Sequence, residues 1–138
     1  MTRRRKIWLL ICSVLATLVV AAFLFWLLAI VVVNGTLGNN AFINVSLVRH
    51  ALMYASADDF HQAQIEVAER PKELSSEELA RFLLRKDQQA QSTDPWGRLL
   101  QVTVWRRTGT NDGFCAGRVT SFVTKYPWGH DTPYTEEF

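Results

Sequence analysis

The sequence predicts an α+β protein in which a single N-terminal transmembrane helix is followed by helices packed on a small antiparallel sheet. Residues 7–33 are free of charge, and only Ser13 and Thr17 in that run lie outside the apolar class. Farther along, apolar residues recur first at helical spacing and then in alternation, a pattern typical of helices followed by a strand. An apolar run of this length excludes a water-soluble monomer. Residues 34–138 are enough for one modest core.

The charges around the apolar run predict its orientation. Arg3, Arg4, Arg5 and Lys6 carry all the charge before it, while the remaining 11 basic and 13 acidic residues follow it. Cations concentrate on the cytoplasmic side of a membrane segment. We therefore expect residues 1–6 in the cytoplasm of an inner (plasma) membrane protein, with the C-terminal domain periplasmic or otherwise extracytoplasmic. No aromatic or basic pattern continues the cluster, so nucleic acid is not an expected partner.

The length of the run favours an uncleaved signal anchor over a signal peptide. The apolar core of a signal peptide has about 7 to 15 residues and ends in small residues, whereas this run ends in Val31-Val32-Val33. As a helix it would measure about 40 Å, against a hydrocarbon core of about 30 Å. Because the helix is longer than the hydrocarbon core is thick, we expect it to tilt, or a partner or the protein's own domain to cover its outer end.

Small residues line one face of this predicted membrane helix. Ser13, Thr17 and Ala21 follow i, i+4, i+8 spacing, which lets two membrane helices approach closely. One interpretation is a contact surface for a homo-oligomer or another membrane protein. The other is ordinary lipid-facing composition.

The domain after the anchor, residues 34–125, begins with helical patterns. Residues 34–40 are rich in Asn and Gly and predict a break, followed by a helix over about 41–69 that ends before Pro71. Its expected buried stripe comprises Val45, Val48, Leu52 and Ala55, widened by Leu47, Ala51 and Tyr54. Ser75 and Glu78 form a capping-box pattern, which predicts a helix over about 76–91 that buries Leu79, Phe82 and Leu83.

Turn chemistry at residues 92–97 separates the helices from the strands. Leu100, Val102 and Val104 alternate with polar residues and predict a half-buried strand over about 98–107. Residues 108–117 predict a long hairpin loop, and residues 118–125 a second strand. Residues 126–138 are expected to form a C-terminal tail.

One set of motifs resembles a known family. Ala51-Leu52-Met53-Tyr54 after the anchor, Glu78-Leu79 in a short helix, and Asp94-Pro95-Trp96-Gly97-Arg98 before a hairpin resemble the C-terminal region of the type II secretion pseudopilins, especially the major pseudopilin. The resemblance covers about residues 45–123. It implies a long N-terminal helix packed on a small antiparallel sheet, a role in a periplasmic filament, and no catalysis.

The sequence departs from that family in two features. The Gly-Phe-Thr-Leu-x-Glu processing site is replaced by Arg5-Lys6-Ile7-Trp8-Leu9-Leu10, which has no glutamate. The family's C-terminal calcium loop is also not recognisable. Asp112, Asp131 and Glu136 offer oxygen ligands but lack a twelve-residue calcium-loop spacing, so we expect solvated acids and no metal site.

No sequence motif indicates a catalytic or cofactor site. His50 and His61 would lie about 16 Å apart on one helix, too far to share a metal ion. Cys12 and Cys115 are separated by the membrane and cannot pair. Cys115 is therefore expected to be a buried thiol, or else an intermolecular bridge or a reactive thiol. A small envelope hydrolase acting through Cys115 is the least favoured function.

The tryptophans outside the membrane segment suggest contact sites. Trp96, Trp105 and Trp128 either pad a thin sheet or act as anchors for a partner protein, since tryptophan is enriched at binding hot spots. The expected function is a non-enzymatic structural or assembly component of an envelope complex, with the bilayer and other membrane or periplasmic proteins as partners. The alternative is an accessory or regulatory subunit of an unrelated membrane complex.

Overall fold

The computed structural model describes residues 3–108 and 115–138, which form three helices and one four-stranded antiparallel sheet. The helices are α1 (Arg3–Met53), α2 (Ala57–Gln62) and α3 (Ser76–Lys86). The strands are β1 (Lys72–Glu73), β2 (Gln101–Arg106), β3 (Cys115–Lys125) and β4 (His130–Glu137), and they lie in the order β1-β2-β3-β4. The predicted α+β fold, a long apolar N-terminal helix followed by helices and an antiparallel sheet, is confirmed.

The helix α1 runs without interruption through residues 34–40, where the sequence predicted a break. In an isolated helix, glycine and asparagine are less favourable than alanine by up to about 1 kcal/mol per residue. Here strongly helical segments flank them on both sides, and Gly38 and Ala41 lie buried against the domain. Tertiary packing thus outweighs local propensity, and one 51-residue helix joins the apolar run to the domain core.

The outer part of α1 supplies one wall of the core. Val45, Val48 and Leu52 are fully buried, as the stripe predicted, and Ala51 and Ala55 are buried beside them. Tyr54, by contrast, is exposed. Val102, Val104 and Val119 on the sheet form the opposite wall, so helix α1 and the sheet share a single hydrophobic core.

The predicted helix over 41–69 is divided in two. α1 ends at Met53, and Ser56 begins the new helix α2 because its hydroxyl accepts from the Asp59 amide while the Asp59 carboxylate accepts from the Ser56 amide. This reciprocal capping box begins a separate helix, although the apolar periodicity had indicated one continuous helix. Phe60 from α2 stacks on Phe82 of α3, with ring centroids 5.1 Å apart.

The helix α3 begins where the sequence predicted and ends five residues earlier than predicted. Ser75 and Glu78 form the expected capping box, and Leu79, Phe82 and Leu83 are buried. Asp87 ends the helix in an extended conformation, and its carboxylate accepts a hydrogen bond from the Gln89 amide. Such local bonds compete with helix continuation.

The sheet extends farther toward the C-terminus than the sequence indicated. β3 begins at Cys115 rather than at residue 118, and residues 130–137 form the edge strand β4 where a tail was expected. β4 pairs with β3 from Lys125↔His130 to Arg118↔Glu137. The predicted loop over 108–117 lies partly outside the described residues, and its last three residues belong to β3.

Candidate functional site

The inner part of α1 is long and apolar enough to cross a membrane. Between Ile7 and Val33 every large apolar side chain except Ile30 is exposed on the described chain. Surfaces of this kind are stable only in lipid or against protein. The helix therefore suggests a membrane anchor.

Ser13, Thr17 and Ala21 lie exposed along this segment. The Thr17 hydroxyl donates to the backbone carbonyl of Ser13 at 2.9 Å, so this hydroxyl of the stripe is satisfied within its own helix. What the stripe offers to a second helix is a smooth, small-residue surface. Its role as a contact remains a prediction.

A direct connection between the anchor and the sheet lies where the apolar run ends. The Asn34 side-chain amide donates to the Tyr126 carbonyl, and its oxygen accepts from the Tyr126 amide, each at 2.8 Å. An asparagine side chain carries both a donor and an acceptor. It therefore binds the backbone of the β3–β4 turn much as a neighbouring strand would.

β4 runs alongside α1 away from this junction. The Phe42 and Tyr134 rings meet edge to face with centroids 4.5 Å apart, and Arg49 Nε donates to the Glu137 carbonyl at 2.8 Å. Seven helical residues from Phe42 to Arg49 and three strand residues from Tyr134 to Glu137 each advance about 10 Å. Helix and strand are therefore nearly parallel, and the β3–β4 turn marks the anchor end of the domain.

The β3–β4 turn, residues 126–129, presents aromatic side chains to the surroundings. Trp128 is 78% exposed and Tyr126 is 54% exposed. Gly129 has φ +64°, a left-handed conformation that favours glycine and closes the turn before His130 pairs with Lys125. Trp128 thus lies at the tip of a hairpin, with its indole uncovered by the described chain.

Trp96 belongs to a tightly bonded loop. Asp94, buried among the loop residues, accepts hydrogen bonds from the Trp96 amide at 3.0 Å, the Arg98 amide at 2.8 Å and Arg98 Nε at 2.8 Å. The Arg98 guanidinium lies 5.3 Å from the Trp96 ring centroid and ion-pairs with Asp131 at 3.0 Å. The Asp-Pro-Trp-Gly-Arg motif therefore fastens a turn to the sheet, and Trp96 is half-buried in it.

Arg98 also completes the edge of the sheet. β2 pairs with β3 only as far as Thr120, and Arg98 donates to the Phe122 carbonyl beyond that point. The guanidinium occupies the position where a further strand residue would bond. This structural role explains the arginine of the motif without reference to a partner.

Trp105 and Trp128 do not form one surface. Trp105 is half-buried and pairs with Ala116, whereas Lys125 precedes the turn that carries Trp128. Nine strand residues separate Ala116 from Lys125, or about 30 Å. The predicted tryptophan contacts therefore belong to opposite ends of the sheet, and any partner of both would have to span the domain.

A pocket of about 310 Å³ lies between α2 and the sheet, and both Cys115 and His61 line it. Burial raises the pKa of the Cys115 thiol to about 11, although Arg106 acts in the opposite direction. A thiol nucleophile needs its thiolate form, which such a pKa disfavours at neutral pH. Burial and the raised pKa favour the expected buried thiol over a reactive one.

The acids considered for calcium have other partners. The Thr124 hydroxyl and the Arg98 guanidinium bind the Asp131 carboxylate and hold its pKa below the ordinary value. Glu136 lies 3.7 Å from Arg49 and accepts from the Tyr134 hydroxyl, which raises the tyrosine pKa. Asp112 lies outside the described residues. Within residues 3–108 and 115–138, no group of three metal-binding side chains converges.

The hydrogen-bonded pair of Asn34 and Tyr126 is a feature of the candidate site that sequence analysis missed. A polar residue directly after the apolar run was visible, but 92 positions separate it from its partner, and no local pattern pairs them.

Comparisons with protein families, curated proteins and solved structures find no match for this chain.

Proposed function

We propose that this chain is a non-enzymatic, single-pass membrane protein that acts as a structural or assembly component of an envelope complex. In this proposal the basic N-terminus is cytoplasmic, α1 crosses the inner membrane, and the α+β domain is periplasmic. The domain is similar in plan to a pseudopilin head.

One observation carries the proposal: the same unbroken helix serves as the anchor and as a wall of the domain core. The exposed apolar segment and the buried stripe of Val45, Val48 and Leu52 belong to one 51-residue helix. A rod of this kind transmits position and orientation between the membrane and the domain without a flexible joint. A long helix packed on a small antiparallel sheet is also what resemblance to the pseudopilins implies.

The local chemistry supports a structural role. The polar pair of Asp94 and Arg98 holds a loop to β3, and the pKa of Cys115 is raised rather than lowered. Groups poised for catalysis usually have pKa values displaced toward their working pH. The Asp94–Arg98 pair thus serves the fold, and the raised pKa of Cys115 does not fit a nucleophile.

The test is site-specific photo-crosslinking in native membranes from Thr17 on the small-residue stripe and from Trp105 on the sheet. Val19, 68% exposed and on the opposite side of the helix, is the matched control. Capture of a second copy from Thr17, and not from Val19, supports a homo-assembly.

Two results would count against the proposal. Capture of one larger subunit from both positions would favour an accessory subunit of another membrane complex. A reporter fused after Phe138 that proves cytosolic would remove the periplasmic placement and the proposal with it.

A further inference from the structure

The β3–β4 turn lies at the level where α1 leaves the bilayer. Tyr126 is bonded to Asn34, the first residue after the apolar run. β4 rises from this point alongside α1, as the Phe42–Tyr134 and Arg49–Glu137 contacts establish. The turn is therefore the part of the sheet nearest the membrane.

The helix length places this turn in the headgroup layer. Residues 7–33 span about 40 Å as a helix, close to the total bilayer thickness of about 40–45 Å including both headgroup regions. With Trp8 at the cytoplasmic interface, Asn34 lies at the outer edge of the opposite headgroups. Tilting of the helix brings the turn nearer still.

The side chains of the turn match the chemistry of that layer. Tyr126 and Trp128 have apolar rings with a polar group, and such residues concentrate at membrane interfaces. Lys125, also exposed, supplies a cation beside them. Three interfacial residue types thus meet at one tip.

Apolar surface continues from the membrane helix to the hairpin. An open groove of about 410 Å³ between α1 and β3 is lined by Ile30, Val31, Phe42 and Val123, together with Lys125 at the hairpin end. The apolar surface of α1 therefore passes onto β3 at the expected membrane boundary. This continuity favours lipid over a separate protein as the neighbour of the turn.

We propose that the β3–β4 turn is a second membrane contact, in which Trp128 and Tyr126 insert into the outer headgroup region beside α1. The occupant of this surface is the bilayer itself. The proposal rests on the membrane anchor of the proposed function and adds a consequence to it. Two contacts, a helix and a hairpin, fix the rotation of α1 about its axis as well as the depth of the domain.

The experiment measures tryptophan quenching by lipids brominated near the headgroup end of the acyl chains. The full chain is placed in phosphatidylcholine vesicles with and without the brominated lipid. Trp8→Phe and Trp26→Phe remove the two tryptophans of the anchor, and Trp128→Phe is then added to that double variant. Trp105→Phe in the same background is the matched control, because Trp105 lies about 30 Å from the turn.

The double variant should lose roughly one third of its emission to the brominated lipid, the share of one interfacial tryptophan among three. Adding Trp128→Phe should abolish this loss, whereas adding Trp105→Phe should raise it to about one half, the share of Trp128 among the two tryptophans that remain. Far-UV circular dichroism verifies that each variant remains folded.

Three results would overturn the inference. If wild-type protein is quenched through Trp8 and Trp26 but the double variant is not, the turn lies away from lipid and the anchor still stands. If neither is quenched, the anchor itself is absent. If Trp128 is shielded from aqueous acrylamide yet not quenched by lipid bromine, protein rather than the bilayer covers it.

Discussion

Asn34 and Tyr126 hold the β3–β4 end of the sheet against α1 through two hydrogen bonds of 2.8 Å. The bonds join side chain to backbone, so they depend on asparagine at position 34 and not on tyrosine at position 126. They also fix where the aromatic turn lies relative to the apolar run. The junction between anchor and domain is therefore a specific contact.

Replacing Asn34 with alanine should loosen the turn without unfolding the domain. Two bonds are lost, each contributing about 0.5–1.5 kcal/mol, so amide hydrogen exchange at Tyr126 should accelerate by roughly tenfold or more. Asn40→Ala is the control, since Asn40 is exposed on the same helix. Equal exchange rates at Tyr126 in both variants would contradict the assigned role of Asn34.

Gly35 should tolerate alanine, because α1 is helical at this position and a Cβ there would meet nothing within 4 Å. Alanine is favoured over glycine in a helix by about 0.5–1 kcal/mol. Thermal unfolding of the Gly35→Ala variant in detergent should therefore occur at the wild-type temperature or slightly above. A loss of stability would indicate that the chain bends at Gly35.

Gly117 should not tolerate alanine. A Cβ at this position would lie 2.5 Å from the Thr103 carbonyl oxygen and 2.5 Å from Cζ of Phe138. The ring can move, but the Thr103 carbonyl belongs to the backbone of β2. We expect Gly117→Ala to lower the free energy of unfolding by about 1–3 kcal/mol, measured by chemical denaturation.

A double variant distinguishes the effect of the Phe138 ring from that of the Thr103 carbonyl oxygen. Adding Phe138→Ala to Gly117→Ala removes the ring and leaves the carbonyl in place. Stability should not return to that of Phe138→Ala by itself. Full recovery would show that the ring, and not the strand backbone, is what excludes a side chain at 117.

Asp59 should make stability depend on pH in the acid range. Partial burial raises its pKa, but hydrogen bonds from Lys86 and Ser56 outweigh this effect and lower the pKa from 3.8 to about 2. A carboxylate with a lowered pKa in the folded state stabilises the fold above pH 3.8, and that contribution disappears as the pH falls through about 2.

Asp59→Asn should therefore cost about 1–2 kcal/mol at pH 7, after allowance for solvent screening. The difference from wild type should shrink between pH 4 and pH 2 in denaturation experiments. Asp58→Asn is the control on the same helical turn, with an exposed carboxylate. A cost independent of pH would mean that the Lys86 ion pair does not act through charge.

Local signals in the sequence predicted the core but not its full extent. The Val45, Val48 and Leu52 stripe and the Ser75–Glu78 capping box act within a few residues, so periodicity and spacing revealed them. β4 was missed because His130-Asp131-Thr132-Pro133 is polar and contains a proline, a composition tolerated on an edge strand. β4 forms because it pairs with β3, and no local sequence pattern predicts that pairing.

The break predicted at residues 34–40 was wrong for a similar reason. Asparagine and glycine lower helix propensity, but burial of Gly38 and Ala41 and the Asn34–Tyr126 bonds stabilise the helix through tertiary contacts. Of the candidate contact residues, Trp128 lies exposed at the hairpin tip, whereas Trp96 is held under Arg98. The contact roles of all six residues, Ser13, Thr17, Ala21, Trp96, Trp105 and Trp128, remain predictions.

The continuity of α1 is tested most directly by an electron spin resonance distance across residues 34–40. Nitroxides at Leu28→Cys and Ser46→Cys, in a chain with Cys12→Ala and Cys115→Ala, lie on the same face of the helix in lipid nanodiscs. Eighteen helical residues predict a single narrow distance near 27 Å, about five turns. A broad or clearly shorter distribution would show that the anchor and the domain are joined by a bend, and would contradict the account.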